Sequence, residues 1–175
     1  GKTFTLNSIA DFYEAQDLKV TLTAPTGKAA KRMEQVTGRP ALTIHRLLEY
    51  NGREFGRGPE SPLLTNLVIV DEMSMVDAAL CWRLFRAIDL SRTAVVLVGD
   101  HNQLPPVGPG DVLRDLIQSS AVPTVILDKV VRQAGVLKEN CTAVLAGQVR
   151  PSVKDTAGTP PWLVADRFTE AEAAK

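Results

Sequence analysis

Leu67-Val68-Ile69-Val70-Asp71-Glu72 joins four apolar, mostly β-branched residues directly to two acids. An apolar run of this length, without alternation, reads as a strand covered on both faces, as in the parallel sheet of an α/β protein. Open α/β sheets take their ligands beyond the carboxyl ends of the strands, which is where Asp71 and Glu72 fall. Two adjacent carboxylates there can divide the work. The first can hold Mg²⁺ through its water shell, and the second can orient or deprotonate a water aimed at a phosphate. Strand-Asp-Glu also closes ordinary strands, so the reading depends on what surrounds it.

Length and composition bound the answer. The 175 residues, 18.9 kDa, suit roughly one domain. Hydrophobic content of 45% with 23% charged is ordinary for a globular α/β protein, and no apolar run approaches the roughly 20 residues that cross a bilayer. No membrane partner is expected, and a cytoplasmic location is. Twenty basic residues balance twenty acidic ones, so no global field draws the chain to nucleic acid. A local patch could do so: Lys28, Lys31, Arg32, Arg39, Arg46, Arg53 and Arg57 are interspersed with only Glu34, Glu49 and Glu54. Cys81 and Cys141 lack the paired spacing of a metal or redox site and read as reduced core residues. The chain opens on Gly1 rather than methionine, which reads as a piece of a longer polypeptide.

Gly1-Lys2-Thr3, leading into an apolar-periodic run to about Tyr13, looks like the end of a phosphate-binding loop entering a helix. That chemistry needs a lysine for the β/γ-phosphates, a hydroxyl for Mg²⁺ and a helix amino terminus facing the anion. The triplet alone is common; its place ahead of alternating strands and helices gives it weight. Val20-Thr21-Leu22-Thr23 reads as a strand, followed by the loop Ala24-Pro25-Thr26-Gly27-Lys28 and a basic helix from Ala29 to about Gln35. Thr26 and Lys28 suit phosphates, including those of a nucleic-acid backbone, and equally suit a solvated helix cap. Thr43 can cap a short helix that turns Ile44, Leu47 and Leu48 inward and His45 and Arg46 outward, with no acid/base role for His45. Residues 51–62, rich in Gly, Pro, Arg and Glu, read as an exposed, mobile loop.

Beyond the central strand, Met75 to Ile88 is predicted to be an amphipathic helix with Val76, Leu80, Leu84 and Ile88 on one stripe. Trp82 and Phe85 read as packing groups rather than base-stacking platforms, since aromatics are 5% of the chain and are not interleaved with the basic patch. Ala94-Val95-Val96-Leu97-Val98 is a further strand, and its Gly99-Asp100 ending makes Asp100 a rival to Asp71, with Gly99 letting the chain pass close to a ligand. Gln103, on a loop stiffened by Pro105 and Pro106, can hold an attacking water near a γ-phosphate or bond its own turn. Asp111 can cap a helix from Val112 to Gln118, and Val125-Ile126-Leu127 reads as a short strand. Arg132 beyond it is either a charge stabiliser at the nucleotide or a surface residue. A helix over 136–146, linker composition over 150–161 and a strand at Trp162-Leu163-Val164 complete the chain, with no internal repeat.

Taken together, GKT (1–3), TAPTGKAA (23–30), LTIHRLL (42–48), LVIVDE (67–72), LVGDHNQLPPV (97–107) and VVRQA (130–134) resemble the superfamily 1 helicases, most closely the RecD-like group, which includes helicase domains of conjugative relaxases. The resemblance covers residues 1–147. It implies a RecA-like P-loop NTPase lobe, an α/β fold with a mainly parallel sheet and helices on both faces, with 148–175 as a linker and the start of a following region. It implies ATP and Mg²⁺ as cofactors and single-stranded DNA as partner, with movement 5′ to 3′. Gly1, Lys2 and Thr3 would bind the phosphates, Thr3 and Asp71 would serve Mg²⁺, and Glu72 would prepare the attacking water. Gln103 would couple the γ-phosphate to DNA, Arg132 would touch the γ-phosphate, and Thr26, Lys28, Thr43, His45 and Arg46 match the family's DNA contacts. DNA repair and recombination, as in exodeoxyribonuclease V, and helicase–nuclease subunits as partners, are further implications.

The chain departs from the pattern in places. The upstream glycines of the phosphate loop are not in the sequence, Val131 stands where many relatives carry an aromatic, and nothing after Gly147 matches the second RecA-like lobe that completes the ATP site. Little unwinding is therefore expected from these residues alone. A nucleotide- or DNA-binding module without turnover is the alternative in another class, as is a P-loop ATPase unrelated to nucleic acid.

Overall fold

The structure, a computed structural model, describes residues 2–127. The chain divides into two units, Gly1–Leu127 and Asp128–Lys175, and only the first is described. Arg132, Cys141, the helix over 136–146, the linker over 150–161 and the strand at Trp162-Leu163-Val164 lie outside the described residues, as does Gly1.

Four parallel strands, β1 (Val20–Ala24), β2 (Ala41–Thr43), β3 (Leu67–Val70) and β4 (Ala94–Leu97), form one sheet in the order β2-β1-β3-β4. The uninterrupted apolar run is explained by its position: β3 is interior to the sheet, and all four of its residues are fully buried. Alternate residues enter two cores. Leu67 and Ile69 join Leu22 beneath Leu6 and Ala10 of α1 (Lys2–Glu14) and Met33 of α2 (Gly27–Thr37). Val68 and Val70 join Ile44, of α3 (Ile44–Leu47), and Leu48, with Cys81 and Leu84 of α4 (Ala78–Arg86) and Leu113 of α5 (Val112–Ser119). Burying each such aliphatic side chain contributes about 1.5–3 kcal/mol as an upper figure.

The opposite rim of the sheet is closed by polar bonds. Arg39, between α2 and β2, pairs with Asp11 and, at 2.8 Å, with Glu14. Arg39 therefore belongs to a stitch between elements and not to the expected basic patch. Thr65 Oγ1 donates to the Lys19 carbonyl at 2.9 Å, Thr93 Oγ1 bonds the Thr65 carbonyl at 2.7 Å, and Thr21 Oγ1 lies 2.9 Å from Thr65 Oγ1.

Several expectations need correction. The helix after β3 starts at Ala78, because the Asp77 carboxylate accepts from Leu80 N at 2.8 Å, and Met73–Met75 is instead a 3₁₀ turn. Val125-Ile126-Leu127 is exposed and forms no strand, since it has no ladder partner among the described residues. Residues 51–62 are mostly exposed, as expected, but the segment is braced by backbone bridges, Tyr50 to Phe55 and Gly58 to Ser61, and Phe55 packs against the core. Trp82 is 51% exposed and is not a core packing group. No helix among the described residues is long and apolar enough to cross a membrane.

Candidate nucleotide and nucleic-acid rim

The carboxyl ends of the four strands gather most of the sequence candidates on one rim. Thr26 and Lys28 follow β1, Thr43 ends β2 with His45 and Arg46 next, Asp71 and Glu72 follow β3, and Gln103 lies in the loop after β4. α1 ends at Glu14, five residues before β1, on the rim that Arg39 stitches. Its 13 residues span about 20 Å along the core through Leu6 and Ala10, so the helix begins, at Lys2, away from that rim.

The acidic pair is held by its backbone. Asp71 N donates to Thr23 O of β1 at 2.9 Å, and Met73 N donates to Val98 O beside β4 at 2.9 Å. Between these ties Glu72 adopts φ 53°, ψ 41°, the left-handed region that a residue with a Cβ enters at a cost. Asp71 Oδ1 accepts from Glu72 N at 2.9 Å. Glu72 Oε2 is buried with no donor among the described residues, and so is the Ser74 hydroxyl two residues on. A carboxylate oxygen held out of water without a donor fits a site that completes itself with a bound water or ion. Among the described residues no cluster of three or more His, Cys, Asp or Glu side chains forms. One carboxylate with one hydroxyl suits Mg²⁺, which keeps waters and relies on substrate phosphates instead of a protein cage.

Asp100, the rival to Asp71, closes a local turn and, like Asp71, keeps one carboxylate oxygen without a hydrogen bond among the described residues. Its carboxylate accepts from Asn102 N at 3.0 Å and its carbonyl from Gln103 N at 3.1 Å, closing a turn. Gly99 does approach something closely, but that something is protein: a Cβ there would lie 2.5 Å from Leu113 Cδ2 and 3.1 Å from Ser74 N. At the loop's far end a Cβ on Gly108 would lie 2.0 Å from Asp77 Oδ2, and Ala78 N donates to Pro109 O at 3.0 Å. The exposed side chain of Gln103 thus rides on a loop anchored to the turn after Glu72 and to the start of α4.

Both threonines of the basic side are caps. Thr26 Oγ1 accepts from Ala29 N and Thr43 Oγ1 from Arg46 N, each at 3.2 Å. Accepting with the oxygen leaves each hydroxyl proton free to donate to a phosphate, and Lys28, His45 and Arg46 are exposed beside them. Ser74 was not among the residues the sequence singled out; its only signal was a small polar residue between two methionines just past the acids.

Fold and rim define a RecA-like P-loop lobe. The family described as AAA domain matches residues 1–157. The chain belongs to that family and is RecD-like, of helicase superfamily 1. It is 47% identical over 134 residues to the ATP-dependent RecD2 DNA helicase of Deinococcus radiodurans, a match covering 77% of this chain and 18% of that protein. It is 36% identical over 121 residues to the RecBCD enzyme subunit RecD of Mycobacterium tuberculosis, covering 59% of this chain and 21% of that one. Among solved structures, Bacteroides Pif1 bound to ssDNA aligns with a TM-score of 0.50 at 25% identity, over 86% of this chain and 41% of that chain. The chain thus spans about a fifth of the length of these two curated relatives.

Proposed function

We infer that this chain is the ATP-hydrolysing lobe of a DNA helicase, coupling ATP hydrolysis to movement along single-stranded DNA in the 5′ to 3′ direction. The observation that carries the reading is the buried, donor-less Glu72 Oε2 beside Asp71 at the carboxyl end of the central strand. Leaving such an atom unpaired costs about 1–3 kcal/mol, a cost that makes sense where a reacting water is to be held. Gly1, Lys2 and Thr3 bind the phosphates of ATP, with Lys2 on the β/γ oxygens at the start of α1. Thr3 and Asp71 would hold Mg²⁺, which when bound neutralises charge on those oxygens. Glu72 orients the attacking water and takes its proton on the carboxylate, while Gln103 senses the γ-phosphate and Arg132 stabilises its charge.

Thr26, Lys28, Thr43, His45 and Arg46 contact the DNA backbone on the same rim, so that phosphate chemistry and strand grip share one set of strand ends. The lobe takes in residues 1–147, with 148–175 as a linker and the start of a following region. A second RecA-like lobe of the same polypeptide would complete the ATP site, and the RecBCD name of the Mycobacterium relative supports partner subunits of a larger enzyme.

The test is steady-state ATPase of the full-length protein with and without single-stranded DNA. Stimulation by the strand is expected, with Glu72→Gln lowering the stimulated rate by on the order of 100-fold or more. Absence of any stimulation in the parent would favour a module without turnover. Retained turnover in Glu72→Gln would remove Glu72 from the water-activating role.

A further inference from the structure

A line of planar side chains runs over the sheet flank that carries α3 and α4. His45 stacks on Phe55 with ring centroids 5.9 Å apart, and Tyr50 lies 4.6 Å from Phe55. The Arg83 guanidinium lies 5.4 Å from the Phe55 ring and 4.8 Å from Trp82, and the Arg86 guanidinium also lies 4.8 Å from Trp82. His45, Tyr50, Phe55, Arg83, Trp82 and Arg86 thus form one ladder across two stretches of the chain, 45–55 and 82–86.

Core packing does not explain it. Trp82 is 51% and Tyr50 41% exposed, and both arginines are exposed. Arg57 nearby is paired with Glu49 at 2.6 Å, whereas Arg83 and Arg86 have no carboxylate partner among the described residues. Both line a cleft whose other wall is the 55–61 turn, where Glu60 is the one acid among the lining residues. Stacking on a ring holds a guanidinium plane in place while leaving its N–H donors directed outward, so less freedom is lost when it grips an anion. Rings alternating with unpaired cations match a polymer that alternates bases with phosphates.

We propose that this ladder is a second nucleic-acid track, joined at His45 to the Thr43–Arg46 segment. A single strand leaving the rim lays bases against Tyr50 and Trp82 and phosphates on the forks of Arg83 and Arg86. The proposal rests on the reading of the rim as a DNA-binding surface and lengthens the footprint beyond it. In a chain with no net charge such a track must be built from local groups, and Arg83 and Arg86 are cations without an ion pair among the described residues.

The experiment measures binding of labelled oligo-dT of increasing length to the full-length protein by fluorescence anisotropy over a salt series. Variants are R83A/R86A, R83K/R86K and, for the rim, K28A/R46A. R83A/R86A is expected to bind short oligomers like the parent and to lose about tenfold on long ones. Its salt slope on long oligomers should be shallower by about 1.4, roughly 0.7 for each of two phosphates. R83K/R86K should restore the slope but only part of the affinity, because lysine keeps the charge without the stacked fork. Equal binding of long oligomers by parent and R83A/R86A at every salt overturns the proposal. So does an equal loss at all lengths, which would place the arginines inside the first track or signal a general defect. If K28A/R46A weakens every length while R83A/R86A changes nothing, the ladder alone fails. If K28A/R46A is silent, the rim reading fails and takes the continuity at His45 with it.

Discussion

Replacing Glu72 by glycine should make the protein more stable while removing its turnover. Glu72 sits at φ 53°, ψ 41°, where a residue with a Cβ is destabilised by roughly 1–2 kcal/mol and glycine is not. The side chain also holds Oε2 buried without a donor, worth about another 1–3 kcal/mol. Against these stand the larger unfolded-state entropy of glycine, about 0.4–1 kcal/mol, and the packing that the Glu72 methylenes supply. The balance is a gain of about 1–2 kcal/mol. At roughly 4 °C per kcal/mol for a unit of this size, the thermal midpoint should rise by about 4–8 °C. Glu72→Gln keeps the left-handed backbone and should gain less. Thermal unfolding followed by circular dichroism without nucleotide, beside an ATPase assay on the same samples, checks both halves. A Glu72→Gly midpoint at or below that of the parent refutes the argument that strain and desolvation are stored at this residue.

Gly108→Ala should cost about 1–2 kcal/mol, read as a lower urea midpoint, because its Cβ would meet the Asp77 carboxylate that caps α4. Cys81 is buried and its thiol is pushed up by desolvation, with Asp77 adding to the effect. In a Cys141→Ser background the folded protein should therefore react with a thiolate-selective reagent at pH 8 far more slowly than the unfolded chain. The Arg39 hydrogen bond holds the Glu14 carboxyl below its ordinary value of 4.5. A lowered folded value means the pair stabilises above the ordinary value and that this share is lost as the pH falls through the folded one. Glu14→Gln should accordingly be less stable than the parent at pH 7, and the gap should close on acidification below 4.5, as thermal midpoints across pH would record.

Much of the fold was legible because its decisive signals are local. Leu67–Val70 lacks alternation since both faces are covered, and Thr26, Thr43 and Asp111 announce helix starts because a short polar side chain beside a free N–H needs no distant partner. The order of motifs along the chain located the acids and the basic loop without any knowledge of the sheet. Propensity misled where pairing decides. Val125-Ile126-Leu127 has strand composition and no strand beside it, and Val76 fits a helical stripe that the Asp77 cap cuts short.

What the residues determined by themselves was three of the four strands and several helix starts, since apolar runs and short capping motifs act within a few residues, while the ordered motifs carried the resemblance to the family. Ala41–Thr43 does not read as a strand, because it is one only through its pairing with β1. Only the tertiary structure decided that Asp100 closes a turn with Asn102 and Gln103, that Arg39 is a stitch, that Glu72 Oε2 and the Ser74 hydroxyl have no partner among the described residues, and that Trp82 faces water between two arginines. Each of those facts depends on which groups meet across long stretches of chain, and hydrogen-bond supply and burial are properties of that meeting.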